Sequence, residues 1–431
     1  MTQPKDFGFG SNEQMLQQQA RKFLDEHCSI EKLRQIIGDR TAYERDGWRR
    51  FDENTWKKIS ELGWPALAIP EEAGGPGLGM VAVAALVEEA GAHALPAPLL
   101  STLLSTFVLR ECKTPEAYAW MGRIAEGEAA TLAITNSDGS WEPGDAPLEA
   151  KSSGGGGFTL NGTAAYVLDA PKADFLVVSA HSPQGIALFA IPVREAGIKI
   201  KADRIVDLTR EQGTINFSNV RVPGNAVVAG PGKGLAVLQR ALPSIWTAVA
   251  ADSAGAAEWQ LKTTVEYAKV REQFGRPIGF FQAVKHPIVN MMCEIDQVRS
   301  LVYNAACAID HEPENAEKYA RMAKAAAAEC GWFCSGRSVQ FHGGIGFTWE
   351  CDVHIYFKRQ QMNQFLFGDG RHHRRHLADI LIGPSTVVPK GIPAGRISSR
   401  PAKKPAKKVT ARKPVKAKKA TTKRPSPKKK R

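Results

Sequence analysis

The sequence predicts an α+β protein in which helical and β-strand regions are segregated along the chain. Apolar residues recur at helical spacing in the first and third regions, whereas the middle region has short apolar runs separated by turn residues. The last region is built mainly from Lys, Pro and Ala. We therefore expect an N-terminal all-α domain over residues 1–120, a middle antiparallel β domain over 121–232, a C-terminal four-helix-type domain over 233–385, and a disordered tail over 386–431.

The first region is predicted to be helical. Ser11 and Gln14 match a capping box, in which a Ser side chain caps the start of a helix. Apolar residues follow at helical spacing, namely Leu16, Ala20, Phe23 and Leu24. A loop rich in Gly and Pro, residues 70–79, interrupts the helices of this region.

The middle region has the pattern of antiparallel strands. Two apolar runs, Phe175–Val178 and Ile186–Ile191, flank the turn sequence Pro183-Gln-Gly185. A βαβ pattern is missing, and no GxGxxG follows a strand, which disfavours a nicotinamide-binding doubly wound sheet. The run Gly154–Gly157 is better explained as a hairpin connection than as a phosphate loop. Helical spacing returns in the third region with Leu235, Leu238, Leu242 and Ile245.

The charge of the chain is concentrated in its tail. The 431 residues carry a net charge of +13, but residues 400–431 hold 16 Lys or Arg and no acidic residue, and subtracting 16 from +13 leaves −3 for the rest. A tail of this composition has too little apolar surface to fold and binds phosphate backbones without sequence preference. A nucleic-acid-associated protein acting through this tail is therefore one functional hypothesis, beside a solubility tail or an attraction for polyanions.

The sequence favours a cytoplasmic protein without a membrane span. The most apolar stretch, Met80–Leu100, contains Glu88, Glu89, His93 and two prolines. The first residues have no apolar run of the kind found in secretory signals. Seven cysteines, an odd number, are scattered through the chain, which is typical of reduced thiols.

Three segments of the third region carry a family resemblance. They are Val270-Arg-Glu-Gln-Phe-Gly-Arg-Pro-Ile278, Phe281-Gln-Ala-Val-Lys-His286 and Val339-Gln-Phe-His-Gly-Gly-Ile-Gly-Phe-Thr348. With Leu62-Gly-Trp64 and Ile69-Pro-Glu-Glu-Ala-Gly-Gly75 in the first region, they resemble the acyl-CoA dehydrogenase family of flavoproteins. The resemblance extends over residues 10 to 382, with the motifs in the family's order.

The resemblance implies an FAD-dependent oxidoreductase of lipid metabolism that removes a proton next to an acyl-CoA thioester and passes a hydride from the next carbon to the flavin. It also implies a tetramer and an electron-transfer flavoprotein or similar acceptor. The residues that the family lends to the FAD of a neighbouring subunit match Arg271, Phe274, Gln282, Gln340, Phe341, His342, Gly343 and Gly344. Taken without their flanking sequence, Arg271 fits a surface ion pair and Gly343-Gly344 a helix terminator. Thr135 and Tyr166 match positions on the subunit's own flavin, and Gly370, Arg371 and His372 match positions near its nucleotide.

Two departures from the family concern the reaction centre. Proton abstraction needs a carboxylate base, but Gly368 occupies the position of the usual Glu, and Asp369 comes one position later. The family's other location for the base matches Ile245 and Trp246, which cannot accept a proton. Where many members have Trp-x-Thr over the flavin ring, this chain has Tyr166-Val-Leu168, and the usual Glu-Pro after Thr135 is Asn136-Ser137.

The departures predict one half of a heteromeric α2β2 acyl-CoA dehydrogenase that lends FAD-binding groups to a partner carrying the base. Similarity to bacterial members that act on steroid side-chain thioesters makes a bulky acyl-CoA a candidate substrate. The alternative is a self-sufficient enzyme with Asp369 as the base. His372 and His376 are four residues apart, as metal ligands on a helix can be, but the sequence shows no accompanying carboxylate motif, so no metal site is predicted.

Overall fold

The computed structural model describes residues 10–38 and 51–383 of the chain. The basic tail, with its predicted disorder and nucleic-acid binding, lies outside the described residues. Six α-helices are found in the described part of the N-terminal region: α1 (Ser11–His27), α2 (Ile30–Gly38), α3 (Glu53–Glu61), α4 (Met80–Ala92), α5 (Leu99–Cys112) and α6 (Pro115–Ala125).

Local sequence explains where several of these helices begin. Asp52 caps α3, because its side chain accepts a hydrogen bond from the Asn54 backbone N–H at 3.1 Å. Thr114 caps α6 in the same way, with Pro115 at the first helical position. The predicted capping box at Ser11 is wrong: Gly10 is the N-cap of α1, and Ser11 is already helical.

An eight-stranded sheet forms the middle of the described chain. Its strands are β1 (Ala130–Ala133), β2 (Leu148–Gly154), β3 (Gly157–Leu168), β4 (Phe175–Ser182), β5 (Gly185–Pro192), β6 (Ile198–Ala202), β7 (Gln212–Val222) and β8 (Val227–Ala229). Their order is β6-β7-β3-β2-β4-β5-β8, and β1 pairs with β4 off this path.

Most strand pairs are antiparallel, as the alternating sequence predicted. The turn predicted at Pro183-Gln-Gly185 joins β4 to β5, whose pairing ends with Ser182 opposite Gly185. The glycine run 154–157 forms the predicted hairpin between β2 and β3. The prediction of a purely antiparallel sheet needs correction, because β1 and β2 both pair parallel to β4. Residues 134–147, between β1 and β2, form a long connection that carries part of the candidate site.

Five helices and a short hairpin follow the sheet in the described chain. They are α7 (Gly234–Val270), the strands β9 (Glu272–Gln273) and β10 (Arg276–Pro277), α8 (Gln282–His311), α9 (Pro313–His342), α10 (Val353–Phe365) and α11 (Gly370–Ile382). Within the two described ranges, no helix has both the length and the apolarity needed to cross a membrane.

One large hydrophobic core joins the helices of both regions to one face of the sheet. A second cluster lies within the sheet region, where Leu160, Val178 and Phe217 are among the buried residues. The core places the 134–147 connection, the end of α10 and the start of α11 beside one another, as the contact of Trp141 with Phe367 shows.

A buried ionic cluster also ties the sheet region to the C-terminal helices. Asp252 on α7 is 1% exposed, accepts a hydrogen bond from Arg359 Nη2 at 2.5 Å, and forms an ion pair with Arg210 Nη2 at 2.8 Å. Burial by itself raises the pKa of Asp252, but the two guanidinium groups outweigh it and bring the pKa down to about 2. Asp252 therefore remains ionised, and its charge is compensated on both sides.

Candidate active site

The residues predicted to be lent to a neighbouring flavin are exposed around the β9–β10 hairpin. Arg271 ends α7, and its backbone accepts a hydrogen bond from Ile278 N at 2.8 Å, which closes the hairpin. Phe274, at the tip, is 90% exposed, with a φ of +56°. Within the described residues, the Arg271 side chain has no hydrogen bond or ion pair. The arrangement leaves a guanidinium and an aromatic ring available to a ligand or to another subunit.

The ends of two long helices supply the other members of this group. Gln282 begins α8 and Gln340 lies in the last turn of α9, and both are exposed. Gly343 has a φ of +63°, which favours glycine, and a side-chain atom at Gly343 or at Gly344 would meet open space. The Gly343 N–H itself donates to the Gln340 carbonyl, so what the turn offers a ligand is its open, side-chain-free surface.

His342 differs from its neighbours because it is buried. Its ring stacks on Tyr267 with the centroids 4.3 Å apart, and Nδ1 donates to the Ser338 carbonyl at 2.8 Å. Burial lowers the pKa of His342, so the ring is held neutral. Phe341 beside it is half-buried. In this subunit, His342 packs the end of α9 rather than presenting a ring to solvent.

The residues predicted at the subunit's own flavin face are Thr135 and Tyr166, with Leu168 in place of the family's Thr. Tyr166 lies in an irregular stretch of β3 with a φ of +56° and is 44% exposed. Leu168 is buried and offers only its backbone carbonyl, which accepts a hydrogen bond from the Thr131 hydroxyl. Thr135 is 4% exposed, and its carbonyl accepts from Ala165 N at 2.9 Å. Tyr166 keeps an exposed aromatic ring at this face, whereas Leu168 offers no hydroxyl where many family members have Thr.

A side chain at the position where the family has its base would require neighbouring side chains to move. Gly368 is buried with a φ of +101°, and a Cβ there would lie 2.5 Å from His372 Cδ2 and 3.0 Å from His373 Nε2. Lys324 fixes the loop from the other side, because Nζ donates to the carbonyls of Gly368 at 2.8 Å and Asn363 at 3.1 Å. Burial lowers the pKa of Lys324 to about 7, against the opposing effect of the Asp369 charge.

Asp369, the alternative candidate for the base, has a structural role. It is the N-cap of α11, where Oδ1 accepts a hydrogen bond from the His372 backbone N–H at 2.7 Å. Gly370 is the first residue of α11 and is buried, whereas Arg371 is exposed. The carboxylate of Asp369 therefore points along the start of its own helix.

Bulky side chains fill the family's second location for the base. Ile245 and Trp246 are both buried. The guanidinium of Arg321 lies over the Trp246 ring at 4.1 Å, and the His373 ring packs against it edge-on at 5.2 Å. Burial lowers the pKa of His373 to about 2, so it is uncharged. The group has no carboxylate that could take up a proton.

The connection between β1 and β2 approaches the start of α11. Trp141 packs on Phe367 with the ring centroids 5.0 Å apart. The next residue, Glu142, lies 2.9 Å from His376 Nε2 and 3.9 Å from His372 Nδ1. No HExxH-type carboxylate accompanies these histidines in the sequence, but the fold brings a carboxylate to them from more than two hundred residues earlier in the chain.

Sequence reasoning missed four residues at this site: Trp141, Glu142, Arg321 and Lys324. The one available signal was a pair of charged residues in the alanine-rich stretch of α9, where Arg321 and Lys324 are both buried. Charged residues on an otherwise small and apolar helix face are rarely buried without a specific partner.

The comparisons with known proteins agree with this geometry. Residues 10–128 match the family model described as acyl-CoA dehydrogenase, N-terminal domain, and residues 232–382 match acyl-CoA dehydrogenase, C-terminal domain. Among the relatives, acyl-CoA dehydrogenase IpdE2 of Mycobacterium tuberculosis is 32% identical over 330 residues, which cover 76% of this chain and 87% of that protein.

Two solved structures are similar to the chain over most of its length. One is a variant of Tcur3481-Tcur3483, described as a steroid ACAD, with a TM-score of 0.77, 30% identity, and coverage of 86% of this chain and 98% of that one. The other is the ChsE4-ChsE5 complex from Mycobacterium tuberculosis, with a TM-score of 0.78, 26% identity, and coverage of 88% and 100%.

Proposed function

The chain belongs to the acyl-CoA dehydrogenase family of FAD-dependent oxidoreductases, and we propose that it is the base-lacking subunit of a heteromeric member. In this arrangement it lends FAD-binding groups to a second acyl-CoA dehydrogenase chain, which carries the catalytic carboxylate. The observation that carries the proposal is Gly368, which has no carboxylate and where an added Cβ would lie 2.5 Å from His372 Cδ2.

The exposed groups around the hairpin support the lending role. The Arg271 side chain has no hydrogen bond or ion pair among the described residues, and Phe274 is 90% exposed. Packing within this subunit therefore does not explain why an arginine and a phenylalanine occupy these positions. A guanidinium binds a pyrophosphate through paired hydrogen bonds, and the amides of Gln282 and Gln340 can both donate and accept. FAD supplies the hydride acceptor, and these side chains would hold and orient it.

Bulky side chains at this subunit's own site support the proposal that the enzyme needs a partner chain. Trp141 closes on Phe367, and Trp246 is covered by Arg321 and His373. These side chains occupy the neighbourhood in which the family's base and flavin would meet. The reaction would therefore take place at the partner's site.

The substrate proposed for the complex is a bulky acyl-CoA thioester, such as one with a steroid-derived side chain. Support comes from the 30% identical structure described as a steroid ACAD. We further propose an electron-transfer flavoprotein or similar protein as the acceptor, and a heterotetramer as the assembly. All seven cysteines are unpaired, which fits the predicted cytoplasmic location. No observation on the described residues favours the nucleic-acid hypothesis.

Co-expression of the full chain with a partner that has Glu at the position of Gly368 tests the proposal. The complex should bind FAD and oxidise acyl-CoA, and Arg271→Ala in this chain should weaken FAD binding roughly tenfold to a hundredfold, the loss expected for a hydrogen bond to a charged group. Arg221→Ala, on an exposed position of β7, is the matched control. A homotetramer of this chain with full FAD and normal turnover would contradict the proposal.

Asp369→Asn separates the two enzyme hypotheses. An Asn side chain can still accept the hydrogen bond from His372 N, so the cap of α11 is kept while the base is removed. The complex should retain most of its activity. If activity is abolished and FAD content is unchanged, Asp369 is the base and the chain is self-sufficient.

A further inference from the structure

Three side chains from two separate parts of the fold converge beside the start of α11. Glu142 belongs to the connection between β1 and β2, and His372 and His376 lie one helical turn apart on α11. Their nearest oxygen and nitrogen atoms all lie within 4.8 Å of one another. Two imidazoles and a carboxylate oxygen are a common zinc ligand set that leaves a fourth position for water.

The separations suit one ion. Glu142 Oε1 lies 2.9 Å from His376 Nε2 and 3.9 Å from His372 Nδ1. Tetrahedral zinc with bonds of about 2.0–2.1 Å holds its ligand atoms roughly 3.3 Å apart, so small side-chain movements suffice. A hydrogen bond between Glu142 and His376 explains the shorter contact, but it leaves unexplained why His372 turns a ring nitrogen toward the same oxygen.

The connection between β1 and β2 and the start of α11 are each held by their own hydrogen bonds. The connection is held by Asn136 Oδ1, which accepts from the backbone of Asp138 at 3.1 Å, and by the 2.5 Å bond from Ser140 Oγ to Asp145. On the other side, Asp369 caps α11 by accepting from His372 N. These bonds hold the backbone that carries the three side chains, and Glu142 N itself donates to Ser140 Oγ at 3.2 Å.

Arg321 places a positive charge near the three residues, and a positive charge repels a metal cation. The charge of Arg321 acts on both Glu142 and His372. Its Nε donates to Glu317 at 2.9 Å and the group packs over Trp246, while Nη1 is buried without a hydrogen-bond partner in the part of the chain that the structure describes. It is therefore anchored by groups outside the trio.

We propose that Glu142, His372 and His376 bind a divalent transition-metal ion, with zinc matching the ligand set best. Bound there, the ion would fasten the connection between β1 and β2 to α11 and keep Trp141 closed on Phe367. The site would thus hold the subunit's own cleft shut. Metal binding needs neither the partner nor a substrate, so the proposal is tested independently of the heteromeric function.

Zinc titration of the untagged, chelator-treated full chain tests the proposal by calorimetry, with elemental analysis after dialysis. We expect roughly one zinc per chain, and Glu142→Gln or His376→Gln should weaken binding at least about tenfold. His286→Gln, an exposed histidine on α8, is the matched control and should bind as the wild type does. No zinc binding by the wild type, or equal binding by the Glu142 and His376 variants, would overturn the proposal.

Thermal unfolding gives a second readout. Zinc should raise the unfolding midpoint of the wild type and EDTA should reverse the shift, because a ligand that binds only the folded state stabilises it. The shift should disappear in His376→Gln and persist in His286→Gln. An equal shift in both variants would assign the stabilising zinc to other residues and refute the site.

Discussion

Substitution of Gly368 should destabilise the protein rather than create a base. The backbone at Gly368 has a φ of +101°, and holding a non-glycine residue in such a conformation costs about 1–3 kcal/mol. A Cβ would also lie 2.5 Å from His372 Cδ2 and 3.0 Å from His373 Nε2, and overpacking of this kind costs about 1–3 kcal/mol. For Gly368→Ala the sum is a loss of about 2–6 kcal/mol in the free energy of unfolding.

Urea unfolding of the full chain, followed by far-UV circular dichroism and by tryptophan fluorescence, measures this loss. Gly336→Ala is the matched control, since Gly336 lies on an exposed face of α9 with open space around it and no positive φ. Alanine there should raise stability by about 0.5–1 kcal/mol, because glycine is the poorer helix former. Gly368→Glu should also give no dehydrogenation by the chain alone.

An unfolding midpoint for Gly368→Ala within error of the wild type would refute the reasoning. It would mean that the loop relaxes without cost, so that the missing base could be restored by one substitution. Acyl-CoA oxidation by Gly368→Glu without a partner would refute it more directly.

Three further predictions concern buried and capping carboxylates. Asp252→Asn removes the carboxylate that pairs with the buried guanidinium groups of Arg359 and Arg210. It should lower the free energy of unfolding by about 3–5 kcal/mol in urea titrations. A loss below about 1 kcal/mol would contradict this prediction. The pKa of Asp252 is lowered from 3.8 to about 2, so its ionised form stabilises the fold above pH 3.8, and about 2–3 kcal/mol should be lost as the pH falls toward 2. Acid titration of stability should show a smaller loss in Asp252→Asn than in the wild type. Asp369→Ala should cost about 1 kcal/mol through the lost helix cap, and Asp369→Asn should cost much less in the same urea assay; equal losses would exclude the capping role.

The sequence predicted the parts of the fold that depend on local pattern. Apolar spacing identified α7 through Leu238 and Leu242, which are buried, and turn residues identified the hairpin at Pro183-Gln-Gly185. These signals lie within a few residues of the structure that they specify. The error at Ser11 is local as well: a Ser next to a Gly leaves two candidates for the cap, and the helix begins from Gly10.

Contacts between distant segments could not be predicted in this way. The parallel pairing of β1 with β4 joins residues 130–133 to 175–178, and nothing in either strand specifies its direction. Glu142 reaches His376 only because the sheet and α11 share a core, so no spacing rule links the two residues. The likeness to a family predicts cofactor residues, but it could not show that Asp369 caps a helix.

Under the proposed heteromeric function, the structural roles of residues 368 and 369 make a base hard to acquire in this loop. Placing a carboxylate at 368 requires either a strained positive φ or a changed loop, and it requires the side chains of His372 and His373 at the start of α11 to move. Using Asp369 instead requires its carboxylate to leave the His372 N–H that it caps, and a displacement of about 1 Å from productive geometry costs on the order of a hundredfold in rate. Both routes cost stability or rate. Arg271 and the glycine turn at the end of α9 are exposed and have no comparable structural role, so under the same proposal they can be retained for a partner's flavin.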